Sequence, residues 1–107
     1  MSYNVEATSY FTRQLKRLVK KYPSLKSEMS YLIESLEVNP KQGTPLGKEC
    51  YKIRLAIGSK GKGKSGGARV ITHVYILRKT VYLLSMYDKS EQANIPPSLI
   101  DALIRQL

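Results

Sequence analysis

The chain has 107 residues, 42% apolar and 24% charged, with 18 Lys and Arg against 8 Asp and Glu and a formal net charge of +10. That length suits a single domain over residues 1–107 with one core, and the apolar fraction is too high for wholesale disorder. No run approaches the roughly 18–20 apolar residues of a membrane span, and the surplus of cations asks for a polyanion, nucleic acid before a membrane surface, because each phosphate contact releases condensed counterions.

The opening MSYNVEATSY has no charged segment followed by an apolar one, so no signal peptide is expected, and the lone Cys50 suits a reducing, cytoplasmic setting. Tyr3 and Val5 alternate with polar neighbours and predict a short first strand. From Thr8 the apolar residues Phe11, Leu15, Leu18, Val19 and Tyr22 fall at helical spacing until Pro23 stops them. Arg13, Lys16, Arg17, Lys20 and Lys21 occupy the other faces, a pattern that is most often a solvated surface. Ser24 is placed to cap a second helix carrying Leu25, Met29, Leu32, Ile33 and Leu36 and ending near Asn39-Pro40, so the two helices form a hairpin. Lys41 to Gly47, with Gly43, Pro45 and Gly47, reads as loop.

The period then changes from helix to strand. Tyr51, Ile53, Leu55 and Ile57 alternate with Lys52, Arg54 and Ala56, which predicts a strand with one apolar and one cationic face. A glycine-rich stretch, Gly58 to Gly67, precedes a second strand over Ala68 to Leu77. A turn at Arg78-Lys79-Thr80 leads to a third over Val81 to Tyr87. Pro97, Ser98 and Asp101 resemble a helix start, followed by the apolar stripe Leu99, Ile100, Leu103, Ile104 and Leu107. The expected order is β-α-α-β-β-β-α, an α+β domain whose helical hairpin packs on a small antiparallel sheet.

Gly58 to Ser65 spells the phosphate-loop pattern G-x-x-x-x-G-K-S, but that chemistry needs a helix beginning at the Lys-Ser, and here Gly66-Gly67 and a β-type run follow. The bland alternative is a mobile basic hairpin loop, in which Lys60, Lys62 and Lys64 drape along a phosphate backbone without reading sequence. Lys52 and Arg54 share one strand face and Arg69 opens the next strand within reach, a cation cluster that asks for an anionic ligand. Tyr87 and Lys89 end the third strand, where a polar turn is the plain reading. His73, the only histidine, shares a face with Arg69 and Ile71 if alternation holds and is a candidate neighbour of the surface that would bind nucleic acid rather than half of an acid/base pair. With one Cys, one His and scattered carboxylates there is no metal-ligand spacing, so neither metal nor cofactor is expected.

The run CYKIRLAIGSKGKGKSGGARVITHVY, followed by YLLSMYDKSEQANI with its Tyr-x-Lys-x-Glu ending, resembles the RelE/HigB branch of the RelE/ParE toxin superfamily over nearly the whole chain. The resemblance implies a RelE-like fold and a cytosolic, metal-independent endoribonuclease that cuts messenger RNA at the ribosome and is neutralised by a cognate antitoxin. It also implies that Lys52, Arg54 and Arg69 match the family's active-site cations. Cleavage of RNA by its own 2′-hydroxyl needs a base, charge stabilisation at the phosphate and an acid for the leaving oxygen. Arg69 suits the phosphate, because a guanidinium bonds two oxygens and stays charged. The base is Lys52 or the ribosome's own RNA, and the acid is Tyr87 or Lys89. Two other readings are a ParE-like gyrase poison that cuts nothing and an RNA-binding module without catalysis.

Overall fold

The computed structural model describes residues 2–61, 63 and 66–107. Lys62 and Lys64, two of the three loop lysines singled out in the sequence, lie outside the described residues. The helical spacing that starts at Thr8 becomes α1 (Ser9–Lys21), and Thr8 caps it: its hydroxyl oxygen accepts from the Phe11 amide at 3.1 Å. Tyr22 and Pro23 end α1, and α2 (Leu25–Val38) returns with Leu25, Met29, Leu32 and Leu36 buried along one stripe.

These stripes pack on a five-stranded sheet of β1 (Asn4–Ala7), β2 (Thr44–Gly47), β3 (Cys50–Leu55), β4 (Ala68–Tyr75) and β5 (Thr80–Asp88), in spatial order β1-β5-β4-β3-β2. Phe11 and Leu18 of α1 and the four α2 residues meet Ile53, Val70, Val74, Val81, Leu83 and Met86 on this face. Burial of each such side chain contributes about 1.5–3 kcal/mol. The opposite face carries Cys50, Ile71, Leu84 and Tyr87, covered by Ile95 and by Leu103 of α3 (Pro97–Arg105).

Several sequence expectations change, among them the Ser24 cap, since the Ser24 side chain makes no capping bond to α2 and its Oγ donates to Glu28 Oε1 at 3.2 Å. Residues 44–47, expected as loop, form the edge strand β2, which pairs with β3 through Thr44↔Lys52, Pro45↔Tyr51 and Gly47↔Cys50. Its composition, TPLG, hides it, because Pro and Gly are tolerated where only one side of the strand is paired. The sheet is mixed rather than wholly antiparallel, since β1 runs parallel to β5. Asp101 does not build a cap for α3; it accepts from Lys48 Nζ at 2.6 Å, an ion pair that ties the helix to the β2–β3 turn. The two residues of that turn, Lys48 and Glu49, both take positive φ.

One irregularity decides what faces where. β4 and β5 pair as Ile71↔Ser85 and then Thr72↔Leu83, so Leu84 is an extra residue on β5, a β-bulge. Before the bulge, odd-numbered residues of β5 (Val81, Leu83) face α1 and α2; after it, Met86 faces them and Tyr87 faces the other way. Gln14 of α1 marks the site, its side-chain oxygen accepting from the Met86 amide at 2.9 Å and the Ser85 hydroxyl at 3.2 Å. No helix among the described residues is long and apolar enough to cross a membrane.

Candidate active site

The strand registers bring the expected residues together on the sheet face opposite α1 and α2. Arg54 on β3 pairs with Arg69 on β4, and Arg69 pairs with Tyr87 on β5, so the three form one row across three strands. Tyr87 joins this row only because of the bulge at Leu84. Without the extra residue its ring would point into the helical core, and no local sequence signal announces the switch. Lys52 lies two residues from Arg54 on the same face, opposite Ile71.

The members differ in exposure. Arg54 is exposed and Lys52 half-buried, whereas Arg69 is only 5% exposed and Tyr87 3%. An Arg69 Nη1 hydrogen bond to the Ala68 carbonyl, 3.2 Å, holds the guanidinium near the strand. The Tyr87 hydroxyl is buried and has no hydrogen-bond partner among the described residues. A buried hydroxyl of this kind keeps its donor capacity for a group brought to the site. Burial pushes the Tyr87 phenol above its ordinary value of 10.0, with Arg69 pulling the other way. The hydroxyl therefore stays protonated at neutral pH and is a donor, not a base.

Lys89 follows one residue beyond β5, half-buried, and its Nζ donates to the Ala93 carbonyl at 3.1 Å. His73 does share a face with Arg69 and Ile71, as alternation predicts, but it lies four residues along β4 from Arg69, about 13 Å at 3.3 Å per residue. There it pairs with Cys50, Nδ1 3.6 Å from Sγ, beside α3. Burial, with Asp101 nearby, pushes the Cys50 thiol up to about 11, so the thiol stays protonated at neutral pH and is a packed contact of His73 rather than a nucleophile.

Lys60 departs most from expectation. Its side chain is 9% exposed, and its Nζ forms an ion pair with Asp88, which is fully buried. The same Nζ donates to Ser90 Oγ at 2.9 Å and lies 5.5 Å from the centre of the Tyr22 ring. A lysine held this way is not extended toward solvent as an arm for phosphates. Asp88 was hidden in the sequence as part of a polar turn. The clue it offered was a carboxylate ending an otherwise apolar strand.

Beside the row, an open groove of about 630 Å³ runs between α2 and the edge of β3, with Tyr31, Thr44, Lys52 and Arg54 in its wall. A smaller cavity of about 320 Å³ near Thr8, Tyr82 and Leu103 has no cation in its lining. The described residues contain no group of three or more His, Cys, Asp and Glu able to hold a metal ion.

Fold and site together define a small α+β protein that presents a row of cations beside a buried phenol. The family model for the RelE toxin of the RelE/RelB toxin-antitoxin system matches residues 8–105, and the chain belongs to that family. Its structure is similar to a mutant of E. coli toxin RelE in the free state, with a TM-score of 0.63 at 16% identity over 100% of this chain and 99% of that one. It is also similar to a chain of the intact E. coli RelBE toxin-antitoxin complex, with a TM-score of 0.51 at 20% identity over 80% and 95%. At these identities the likeness is one of fold.

Proposed function

We propose that this toxin is an endoribonuclease that cuts messenger RNA, on the ribosome, by directing a ribose 2′-hydroxyl at the adjacent phosphate. The observation that carries the reading is the Arg54–Arg69–Tyr87 row, in which a buried guanidinium stands beside a buried, protonated phenol that has no hydrogen-bond partner among the described residues. Arg69 sits at the centre of the row and stabilises the charge that grows on the phosphate oxygens, with Arg54 flanking it on the exposed side. Tyr87 donates its proton to the leaving 5′-oxygen, a role that its raised pKa favours over that of base. Lys89, turned toward the Ala93 carbonyl, is less well placed for that step. Lys52, next to Arg54 at the groove, serves the 2′-hydroxyl side, alone or with a ribosomal group.

The cognate antitoxin is the expected protein partner, by analogy with the RelBE complex to which the fold is similar. Inside the cell the chain works in the cytoplasm, where both its RNA and its antitoxin are. Induction of the chain without antitoxin, followed by primer extension on cellular transcripts, tests the reading. New 5′ ends within coding regions are expected. Intact transcripts with altered DNA topology would replace this reading with gyrase poisoning. Growth arrest with RNA bound and uncut would leave only a binding module.

A further inference from the structure

The glycine-rich segment after β3 matched a phosphate-loop pattern in sequence, and the structure shows how its first turn is held. Gly58–Lys60 forms a 3₁₀ turn fastened to the start of α2: the Gly58 amide donates to Glu28 Oε2 at 2.7 Å and the Ser59 amide to Ser24 Oγ at 2.9 Å. Ser24 and Ser59 also share a hydroxyl hydrogen bond of 2.8 Å. From this anchored turn Lys60 reaches the end of β5. Asp88 Oδ1 accepts from Lys60 Nζ, from the Ser90 amide at 2.9 Å and from Ser90 Oγ at 2.8 Å, while Oδ2 accepts from the Tyr22 hydroxyl at 3.1 Å. The other end of the loop is stitched to the same place, for the Lys89 amide donates to the Gly67 carbonyl at 3.0 Å. Gly67 has no room for a side chain, since a Cβ there would lie 2.1 Å from the Leu55 carbonyl oxygen.

Asp88 is bracketed by Tyr87 and Lys89, and in register it faces Ala68, the residue before Arg69. The loop's two ends therefore converge on the one stretch of backbone that carries the phenol and faces the strand that carries the guanidinium. We infer that the buried Lys60–Asp88 pair is a positioning device for the proposed cleavage: it clamps the glycine-rich loop to the end of β5 and thereby sets Tyr87 and Lys89 against Arg69. Lys60 and Asp88 touch no RNA in this arrangement. They act through the backbone of residues 87–89, and such placement matters because small displacements of reacting groups are expensive in rate.

This inference rests on the nuclease reading, and the experiment separates the two. Lys60→Met alone leaves a buried carboxylate without its cation and is prone to unfold. The double variant Lys60→Met/Asp88→Asn removes both charges while the Asn oxygen still accepts from Ser90 and its NH2 can donate to the Tyr22 oxygen, and Lys60→Arg keeps the cation. With wild type these are compared for single-turnover cleavage of RNA at saturation, for KM, and for amide hydrogen exchange at Lys89. The double variant is expected to bind RNA within about twofold of wild type, to lose at least tenfold in saturated rate, and to exchange the Lys89 amide at least tenfold faster. Lys60→Arg should recover most of both. If KM rises while the saturated rate holds, Lys60 is a phosphate-binding lysine and the positioning role is wrong. If wild type cuts no RNA the nuclease reading fails, and Lys89 exchange then decides the clamp by itself: rates equal in wild type and double variant overturn it.

Discussion

Arg54 and Lys60 are six positions apart, one on the last turn of β3's cationic face and one at the start of the loop that follows. Arg54 is exposed, and its partner in register is another arginine. Lys60 is nearly buried, and its partner is a carboxylate. Like charges opposed on a sheet destabilise it by up to about 1 kcal/mol, so placing Arg54 opposite Arg69 costs the sheet rather than stabilising it. The charge of Lys60 is satisfied from within. Cation content makes the two segments look alike as nucleic-acid contacts, and the position of one distant aspartate separates them.

The largest effect expected from this contrast is on stability. Lys60→Met should destabilise the protein by about 3–5 kcal/mol in chemical denaturation, the usual consequence of stranding a buried charge. The pH dependence follows from Asp88, which burial alone would push up but which Lys60, Ser90 and Tyr22 hold well below its ordinary 3.8. Its contribution is present above the ordinary carboxylate range and is lost as pH falls through the lowered value. Wild type should thus resist acid in a window where Lys60→Met has already unfolded. A loss below about 1 kcal/mol would place Lys60 among the surface cations and erase the contrast.

On the other side of the comparison, Arg69→Ala should cost about 2.7–4 kcal/mol in the transition state, roughly a hundred- to a thousand-fold in cleavage rate, with the fold retained. The check is single-turnover kinetics beside a denaturation curve. Full activity in a folded Arg69→Ala protein would remove the centre of the row. Loss of the fold would mean that Arg69 is structural in the way Lys60 is.

Much of this arrangement was legible because local pattern and tertiary structure agree. The spacing of Phe11, Leu15 and Leu18 and the stop at Pro23 define α1. The alternation from Tyr51 to Ile57 identifies β3 and the sidedness of Lys52 and Arg54. What was not legible depends on partners far along the chain. β2 has no alternation because its pairing is carried by backbone, and the parallel sense of β1 is decided by where β5 lies. The bulge that turns Tyr87 toward Arg69 is written nowhere in VYLLSMYD. The glycines around Lys60 suggest a free loop, yet the residues that fix it, Ser24, Glu28 and Asp88, are 28 to 36 positions away.

Cys50 offers a smaller test at the far end of the same sheet face. Its thiol has a folded value of about 11 against an ordinary 9.0, because the site is buried. The unfolded chain releases this proton near pH 9 and the folded chain holds it to about pH 11. Stability should therefore fall as pH rises between those values, by on the order of 2–3 kcal/mol at most. Cys50→Ala should flatten that part of the denaturation profile. An unchanged slope would mean that solvent reaches the Cys50–His73 end of the face, which would then be as open as the groove beside Arg54.

The smallest effect is expected where ion pairing occurs without burial. Glu91 accepts from Arg17 at 3.2 Å and faces Lys21 at 3.7 Å, close in sequence to Asp88 and in the same segment as Ser90. On paper it has two cations where Asp88 has one. All three side chains are substantially exposed, however, at 40% for Glu91, 59% for Arg17 and 53% for Lys21, so water and salt already screen the charges and holding the long side chains together opposes the attraction. Glu91→Gln should shift the denaturation midpoint slightly at low salt and not measurably at 1 M, where the screening length is about 3 Å. Lys60→Met should lose nearly as much at 1 M salt as at low salt, because its pair is shielded from the added ions. Matched salt responses in the two variants would show that burial is not what distinguishes them, and the clamp on the glycine-rich loop would then be no firmer than a surface contact.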